Sequence, residues 1–296
     1  MSGPLSLLEA HLICVALVVI DLVARAFRIR WLLGGLGTPI GFGDALTLNA
    51  FGDAACAVTP GRIGGEPARL AGMLRAGVPA SAAFVAISLE VIAAWPVIIA
   101  VMLPLAWVFA PDWWAAAVPA LAAAAGRAWP WLLVLGGLSV TAWLAARRLV
   151  RSTPPRLGRS IRRVRVYWRR MPLASILAGV PMTVLNLASR VGILVVLAST
   201  LPQPSPVGVL LVGSFVLLYA QLVVPTPSGI GLVDFGFLGG AAGELGGQGA
   251  ALLFAWRFYT SGVGLLLGAG IAVRLYGRAA VIRALTLAGA APSRPA

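Results

Sequence analysis

Val58-Thr59-Pro60-Gly61-Arg62-Ile63-Gly64-Gly65-Glu66-Pro67-Ala68-Arg69 places two prolines, three glycines, two arginines and a glutamate inside a chain that is otherwise mostly apolar. Proline lacks the N–H a helix needs, and glycine adopts dihedrals that other residues avoid. The segment therefore reads as a break between two helices. Charges at membrane depth face a protein interior or a watery cavity, and irregular backbone there lines such cavities. A second break, Val224-Pro225-Thr226-Pro227-Ser228-Gly229-Ile230-Gly231-Leu232-Val233-Asp234, lies near the other end. Aligned on Pro60 and Pro227, the two share Pro-x-x-Ile-Gly, with an acid within three residues of that glycine. Paired interruptions in the two halves of a membrane protein point to a binding site at a repeat interface.

Composition agrees with a membrane setting. Hydrophobic residues make up 60% of the chain and charged residues 11%, against about a quarter charged in a soluble domain. Several apolar runs approach the roughly 20 residues needed to span a bilayer. Strand-like alternation over about 10-residue segments, the mark of a membrane β-barrel, is missing. The net charge of +14 comes from arginine alone, clustered in loops between apolar runs. That is the positive-inside pattern, and no nucleic-acid-binding motif accompanies it. Cys14 and Cys56 read as buried thiols. His11 reads as a polar residue facing the bundle. No Cys/His cluster has metal spacing, so neither metal nor cofactor is expected.

Outward from the first break, residues 5–27 form a span that ends at Arg25, Arg28 and Arg30, read as cytoplasmic topology markers, followed by Trp31 at the interface. The N-terminus then lies outside, and the first run is a membrane helix and not a signal peptide. Glu9 and Asp21 read as interfacial or snorkelling acids. Ala45–Val58, with Asn49 and Asp53, is short for a span. With Glu66–Ala76 it suits a re-entrant hairpin over 45–76. Ser81–Pro104 spans with Glu90 in its middle and a kink at Pro96. Asp112-Trp113-Trp114 marks the outer interface, and Trp129–Ala146 returns to the cytoplasm. Residues 147–171 form a cytoplasmic linker, which holds ten arginines and no acid over 147–170 and suits anionic lipid head groups.

The second half, 172–277, runs the other way. Pro172–Leu201 carries Asn186 and Arg190, a hairpin over 207–245 carries Tyr219 and Gln221, and Gln248–Tyr276 carries Arg257. Residues 278–296 form a tail. The fold expected is an all-α polytopic membrane protein, an inverted-topology repeat of two halves (1–146 and 172–277) with two Pro/Gly-broken re-entrant hairpins. Two full passes in place of either hairpin leave the loop topology unchanged.

A Pro/Gly break frees backbone N–H groups, here of Gly64, Gly229 and Gly231, which with a following helix N-terminus favour an anion. Arg62 adds a planar donor fork suited to phosphate. Glu66 completes the helix dipole, neutralises Arg62 or Arg69, or takes an ammonium group. Asp234 is its counterpart in the second half. Arg257, alone in a span, needs an acid, with Asp234 and Glu90 the candidates. The candidate substrate-binding residues are thus Asn49, Asp53, Arg62, Gly64, Glu66, Arg69, Glu90, Gly229, Gly231, Asp234 and Arg257; none is assigned as catalytic.

Thr59-Pro60-Gly61-Arg62-Ile63-Gly64-Gly65-Glu66-Pro67-x-Arg69 resembles the first signature of the lysylphosphatidylglycerol synthase transmembrane (flippase-like) family, and Pro227-Ser228-Gly229-Ile230-Gly231-x-x-Asp234 its second. Arg30-Trp31, Glu90 and Arg257-Phe258-Tyr259 resemble further family positions. The second signature usually ends in glutamate, and Glu90 is usually followed by arginine where this chain has Val91. The family's usual first helix has no counterpart here. The resemblance implies a lipid-handling membrane protein, acting on aminoacylated phospholipid in some members and on polyprenol-linked sugars or hopanoids in others. The family's synthase activity lies in a separate soluble domain, for which the residues after 277 leave no room.

The function expected is a flippase-like lipid transporter of the inner (cytoplasmic) membrane that holds a phosphate-bearing head group between two broken hairpins. Its expected partners are phospholipid or polyprenol/hopanoid-type lipid, with no nucleic acid. A second copy of the chain or a separate lipid-synthesising enzyme is the protein partner to consider. The alternatives are a membrane-embedded enzyme using Glu66, Glu90 and Asp234 as acid/base groups, or a non-catalytic partner protein presenting the arginine-rich linker.

Overall fold

The computed structural model describes residues 5–109, 155–202, 206–222, 226, 228–240 and 246–277. The expected span at 129–146, the aromatic cluster at 112–114, the start of the basic linker and the tail lie outside the described residues. The described elements are α1 (Leu7–Gly35), α2 (Phe42–Val58), α3 (Gly65–Arg75), α4 (Ala80–Phe109), α5 (Pro155–Arg170), α6 (Leu173–Ala198), α7 (Val207–Tyr219), α8 (Leu232–Gly240), α9 (Gly249–Arg257) and α10 (Val263–Tyr276). A 3-10 turn, Ala220–Leu222, prolongs α7, and a π turn, Phe258–Gly262, carries α9 into α10. The chain is an all-α polytopic membrane protein: among the described residues, Leu7–Gly35, Ala80–Phe109, Leu173–Ala198 and Gly249–Arg274 are each long and apolar enough to cross a bilayer.

Local sequence explains several boundaries. Ser6 and Glu9 form a reciprocal capping box that starts α1. The helix then runs about two turns past Arg28, further than its apolar run alone suggests. Helix α4 continues through Pro96 and Pro104. Part of the basic linker is helical: α5 begins at Pro155, where the missing N–H costs no internal hydrogen bond. Its Val164 and Tyr167 pack under the start of α4.

Helix α1 lies along α6 as the central pair, α4 covers α6 and α7, and α10 lies along α2. At the α2–α10 contact a Cβ on Gly268 would stand 2.1 Å from the Ala50 carbonyl oxygen, so only glycine lets the backbones approach this closely. Helices α2 and α3 pack antiparallel, with Cys56 against Gly65, Arg69 against Gly52 and Leu48 against Gly72. Helices α7 and α8 do the same, with Gln221 against Gly229 and Phe237 against Gly213.

The two breaks share one backbone device. The Arg62 amide donates to the Thr59 carbonyl at 3.2 Å, and the Gly229 amide donates to the Thr226 carbonyl at 3.0 Å. Gly61 and Arg62 both have positive φ (55° and 59°), as do Ser228 and Gly229 (50° and 67°). Each break is thus a Thr-Pro turn with two successive left-handed residues. Arginine and serine pay a steric penalty there that glycine does not. At the offset that places Pro60 on Pro227, Gly64 falls on Gly231 and Glu90 on Arg257.

Two hydrophobic cores flank a polar band. One joins the later part of α1 to α2, α3, the start of α4 and α5. The other joins Cys14 of α1 to α6, α7, α8 and α9. Between them, midway along their helices, stand the charged side chains of α1, α4 and α6.

Candidate functional site

Asp21, Arg25 and Arg28 fall at i, i+4 and i+7, so they share one face of α1. That face points inward. Asp21 is buried and not interfacial as expected, with 5% of its surface exposed. It accepts hydrogen bonds from Arg25 Nη2 at 2.9 Å, Arg190 Nε at 3.2 Å and Asn186 Nδ2. Arg25 also grips Asp53 of α2 with both terminal nitrogens, at 2.8 and 2.7 Å. Arg25 and Arg28, read from sequence as topology charges, are instead bundle residues, because α1 extends past them and a carboxylate awaits each.

Glu90 is the junction of the second cluster and is 3% exposed. Arg28 donates to its Oε1 from Nε (2.8 Å) and Nη2 (2.5 Å), and Arg69 of α3 donates to its Oε2. Arg28 also donates to Thr183 of α6. Among the described residues Glu66 forms an ion pair only with Arg69, at 3.3 Å, and half of its side chain remains exposed.

These groups wall a cavity of about 290 Å³ in the polar band, which Gly52, Gly65 and Leu222 also line. Five arginines (Arg25, Arg28, Arg62, Arg69, Arg190) face three carboxylates (Asp53, Glu66, Glu90) across it. Asp21, behind Arg25 and Arg190, supplies a fourth, and the site keeps a positive surplus. Arg62 carries that surplus. Its Nη1 donates to Gln221 Oε1 at 3.0 Å, and among the described residues no carboxylate pairs with it. Among the described residues, three buried side-chain nitrogens on the lining residues have no partner: Arg25 Nε, Asn49 Nδ2 and Arg69 Nε. All three are donors. A site left with unfilled donors and surplus positive charge matches a ligand rich in acceptors.

The second break holds a separate pair. Arg257 donates to Asp234 Oδ1 from Nε (2.9 Å) and Nη2 (2.6 Å), and to the Ser228 carbonyl from Nη1. Asp234, and not Glu90, is therefore its acid. Asp234 and Arg257 do not line the cavity, but Leu222, just before the second break, does, and its neighbour Gln221 accepts from the cavity residue Arg62. Ser228 Oγ donates to the Ala57 carbonyl, so the two breaks are joined directly. The expected cradle of free amides does not form. The Arg62, Ile63, Gly65 and Gly229 amides donate within their turns, Gly64 to Thr59 Oγ1 and Gly231 to Asp234 Oδ2. Gly64, Gly229 and Gly231 shape the breaks, and side chains supply the donors.

The description "lysylphosphatidylglycerol synthase TM region" matches residues 4–268. The chain belongs to this family. No curated protein and no solved structure matches it. The lysylphosphatidylglycerol synthase transmembrane family marks the chain as a membrane protein related to lipid metabolism or transport. Of the sequence-derived candidates, Asn49, Asp53, Arg62, Glu66, Arg69 and Glu90 surround this cavity. Sequence reasoning missed Asp21, Arg25, Arg28, Asn186, Arg190 and Gln221. The signal for three of them was the i, i+4, i+7 charged face of α1, and for Asn186 and Arg190 the i, i+4 pair on α6.

Proposed function

We propose that the protein is a flippase-like lipid transporter whose charged cavity takes a phosphate-bearing head group between the two breaks. The observation that carries this reading is the charge surplus: five arginines against three carboxylates on one cavity wall, with Arg62 lacking an acid among the described residues. A guanidinium fork at mid-bundle is costly unless an anion completes it. Phosphate oxygens suit it in geometry and in charge. The half-exposed Glu66 at the same wall suits an amino group on the same head group.

The broken helix pairs support a transporter. Helices α2 and α3, with 17 and 11 residues, extend about 26 and 17 Å, short of the roughly 30 Å hydrocarbon core. We read both pairs as re-entrant hairpins of an inverted repeat, with the N-terminus outside and α5 on the cytoplasmic side of the inner membrane. The contacts Arg62–Gln221 and Ser228–Ala57 then close the path between the two faces, and their opening exposes the cavity. Transport is favoured over catalysis because Asp53 and Glu90 are each held in ion pairs with arginine, so neither stands as an unpaired acid/base group.

The test is native mass spectrometry of the detergent-purified protein with its retained lipids, comparing wild type with Arg62→Ala/Glu66→Ala. One phosphate-bearing lipid class enriched in wild type and lost in the variant supports the reading and names the lipid for transport assays in vesicles. Bulk lipid retained equally by both proteins sinks it.

A further inference from the structure

A second cavity, of about 370 Å³, lies between α4, α6 and α7 and is walled by Val101, Leu105, Leu187, Val191, Leu211 and Phe215 among other apolar residues. We propose that this cleft holds one hydrocarbon chain of the same lipid whose head group enters the charged cavity. The proposal rests on the head-group reading above and adds the place of the tail.

Three elements connect the two spaces. Along α4, Glu90 faces the charged cavity, and Val101 and Leu105 face the cleft. Along α7 and its 3-10 extension, Leu222 faces the cavity, and Leu211 and Phe215 face the cleft. On α6 the neighbours Arg190 and Val191 face one each, so the two spaces adjoin across this helix. An amphiphile with a charged end and an apolar body has this same order.

An aromatic pair stands at the junction. The rings of Trp95 on α4 and Tyr219 on α7 are 6.0 Å apart, and Tyr219 stacks on Phe215 at 6.1 Å. Trp95 is 43% exposed, so the pair forms a wall between α4 and α7 that is open on its outer side. Rings with an apolar body and a polar tip suit a boundary between wet and apolar surroundings.

Filling the cleft gains no hydrophobic energy, since bilayer tails are as apolar as leucine. What the cleft supplies is van der Waals contact and position. A chain held there fixes the head group's approach between α4 and α7, and its volume lies within the range of small-molecule sites, about 300–1,000 Å³.

The experiment uses the full chain in vesicles of phosphatidylethanolamine and phosphatidylglycerol doped with phosphatidylglycerol that carries a diazirine on one acyl chain. A diazirine-bearing long-chain alcohol serves as the probe without phosphate. Labelled residues are mapped after proteolysis. The expected result is labelling of cleft residues by the phospholipid probe, lost in Ala188→Trp, which fills the cleft from an exposed lining position, and reduced several-fold in Arg62→Gln. An equally bulky Leu266→Trp on the exposed face of α10 leaves the labelling unchanged. Cleft labelling that is equal with the alcohol and insensitive to Arg62→Gln marks bulk lipid and overturns the proposal. Labelling that depends on Arg62 but falls on other helices also overturns it, while leaving the head-group reading intact. Cleft residues unlabelled by either probe overturn it as well.

Discussion

Arg62, at the turn of the first break, reaches Gln221 beside the second, its Nη1 donating to the amide oxygen at 3.0 Å. One neutral acceptor thus holds the one cavity arginine that has no acid among the described residues. The contact joins the two breaks and leaves the guanidinium's charge without a counter-ion among the described residues.

Gln221→Leu removes the acceptor and leaves a largely enclosed guanidinium arm unmade. A loss of about 1–3 kcal/mol is expected from thermal or denaturant unfolding in detergent. Gln221→Glu does the opposite: it pairs Arg62 and cancels the surplus charge. That variant loses the Nε2 donations to the Leu217 and Leu218 carbonyls, and once folded it retains less anionic lipid in native mass spectra. Unchanged lipid retention in Gln221→Glu would argue that Arg62 takes no part in head-group binding.

Glu90 serves two arginines from different helices, Arg28 and Arg69. Glu90→Gln leaves two buried cations competing for an amide. The expected cost is about 3–5 kcal/mol, the usual result of breaking a buried ion pair from one side, read as a lower unfolding midpoint and a lower yield of folded protein. A loss below about 1 kcal/mol, the level of exposed pairs, would place Glu90 in contact with water.

At the second break, Arg257 uses its whole fork, two nitrogens on Asp234 and one on the Ser228 carbonyl. Arg257→Lys keeps the charge and loses the fork, so it is not a conservative change. A loss of about 1.5–3 kcal/mol is expected in the same unfolding measurement. Stability equal to wild type would show that charge alone holds this break.

Gly268→Leu and Gly270→Leu form a matched pair on α10. The first drives a side chain into the Ala50 carbonyl and the Ala54 methyl, whereas nothing lies within 4 Å of a Cβ at Gly270. Overpacking at Gly268 is expected to cost about 1–3 kcal/mol or more, with Gly270→Leu near neutral. Equal effects of the two would mean that α10 does not pack on α2 through this glycine.

The breaks were legible because proline, glycine and charge are rare inside apolar runs, so Pro60–Arg69 and Pro227–Asp234 stood out. Most long helices were legible from length alone. The inward charges of α1 were not, because an arginine near the end of an apolar run carries the same letter whether it marks topology or seeks Asp53 and Glu90. Periodicity separates the two cases: Asp21, Arg25 and Arg28 recur on one face, and topology arginines have no reason to. The amides of the breaks were misjudged for another reason. Thr59 and Asp234 satisfy them with side-chain oxygens, which a count of Pro and Gly does not reveal.

Glu90 and Arg257 occupy one sequence offset and carry opposite charges. Each pairs with the short helix that follows the break of its own half, Glu90 with Arg69 and Arg257 with Asp234. Two halves that merely swapped conformations would present a negative anchor where the first arrangement presents a positive one. The two halves are therefore chemically inequivalent at this position, and an exchange of their conformations would not return the same set of ion pairs.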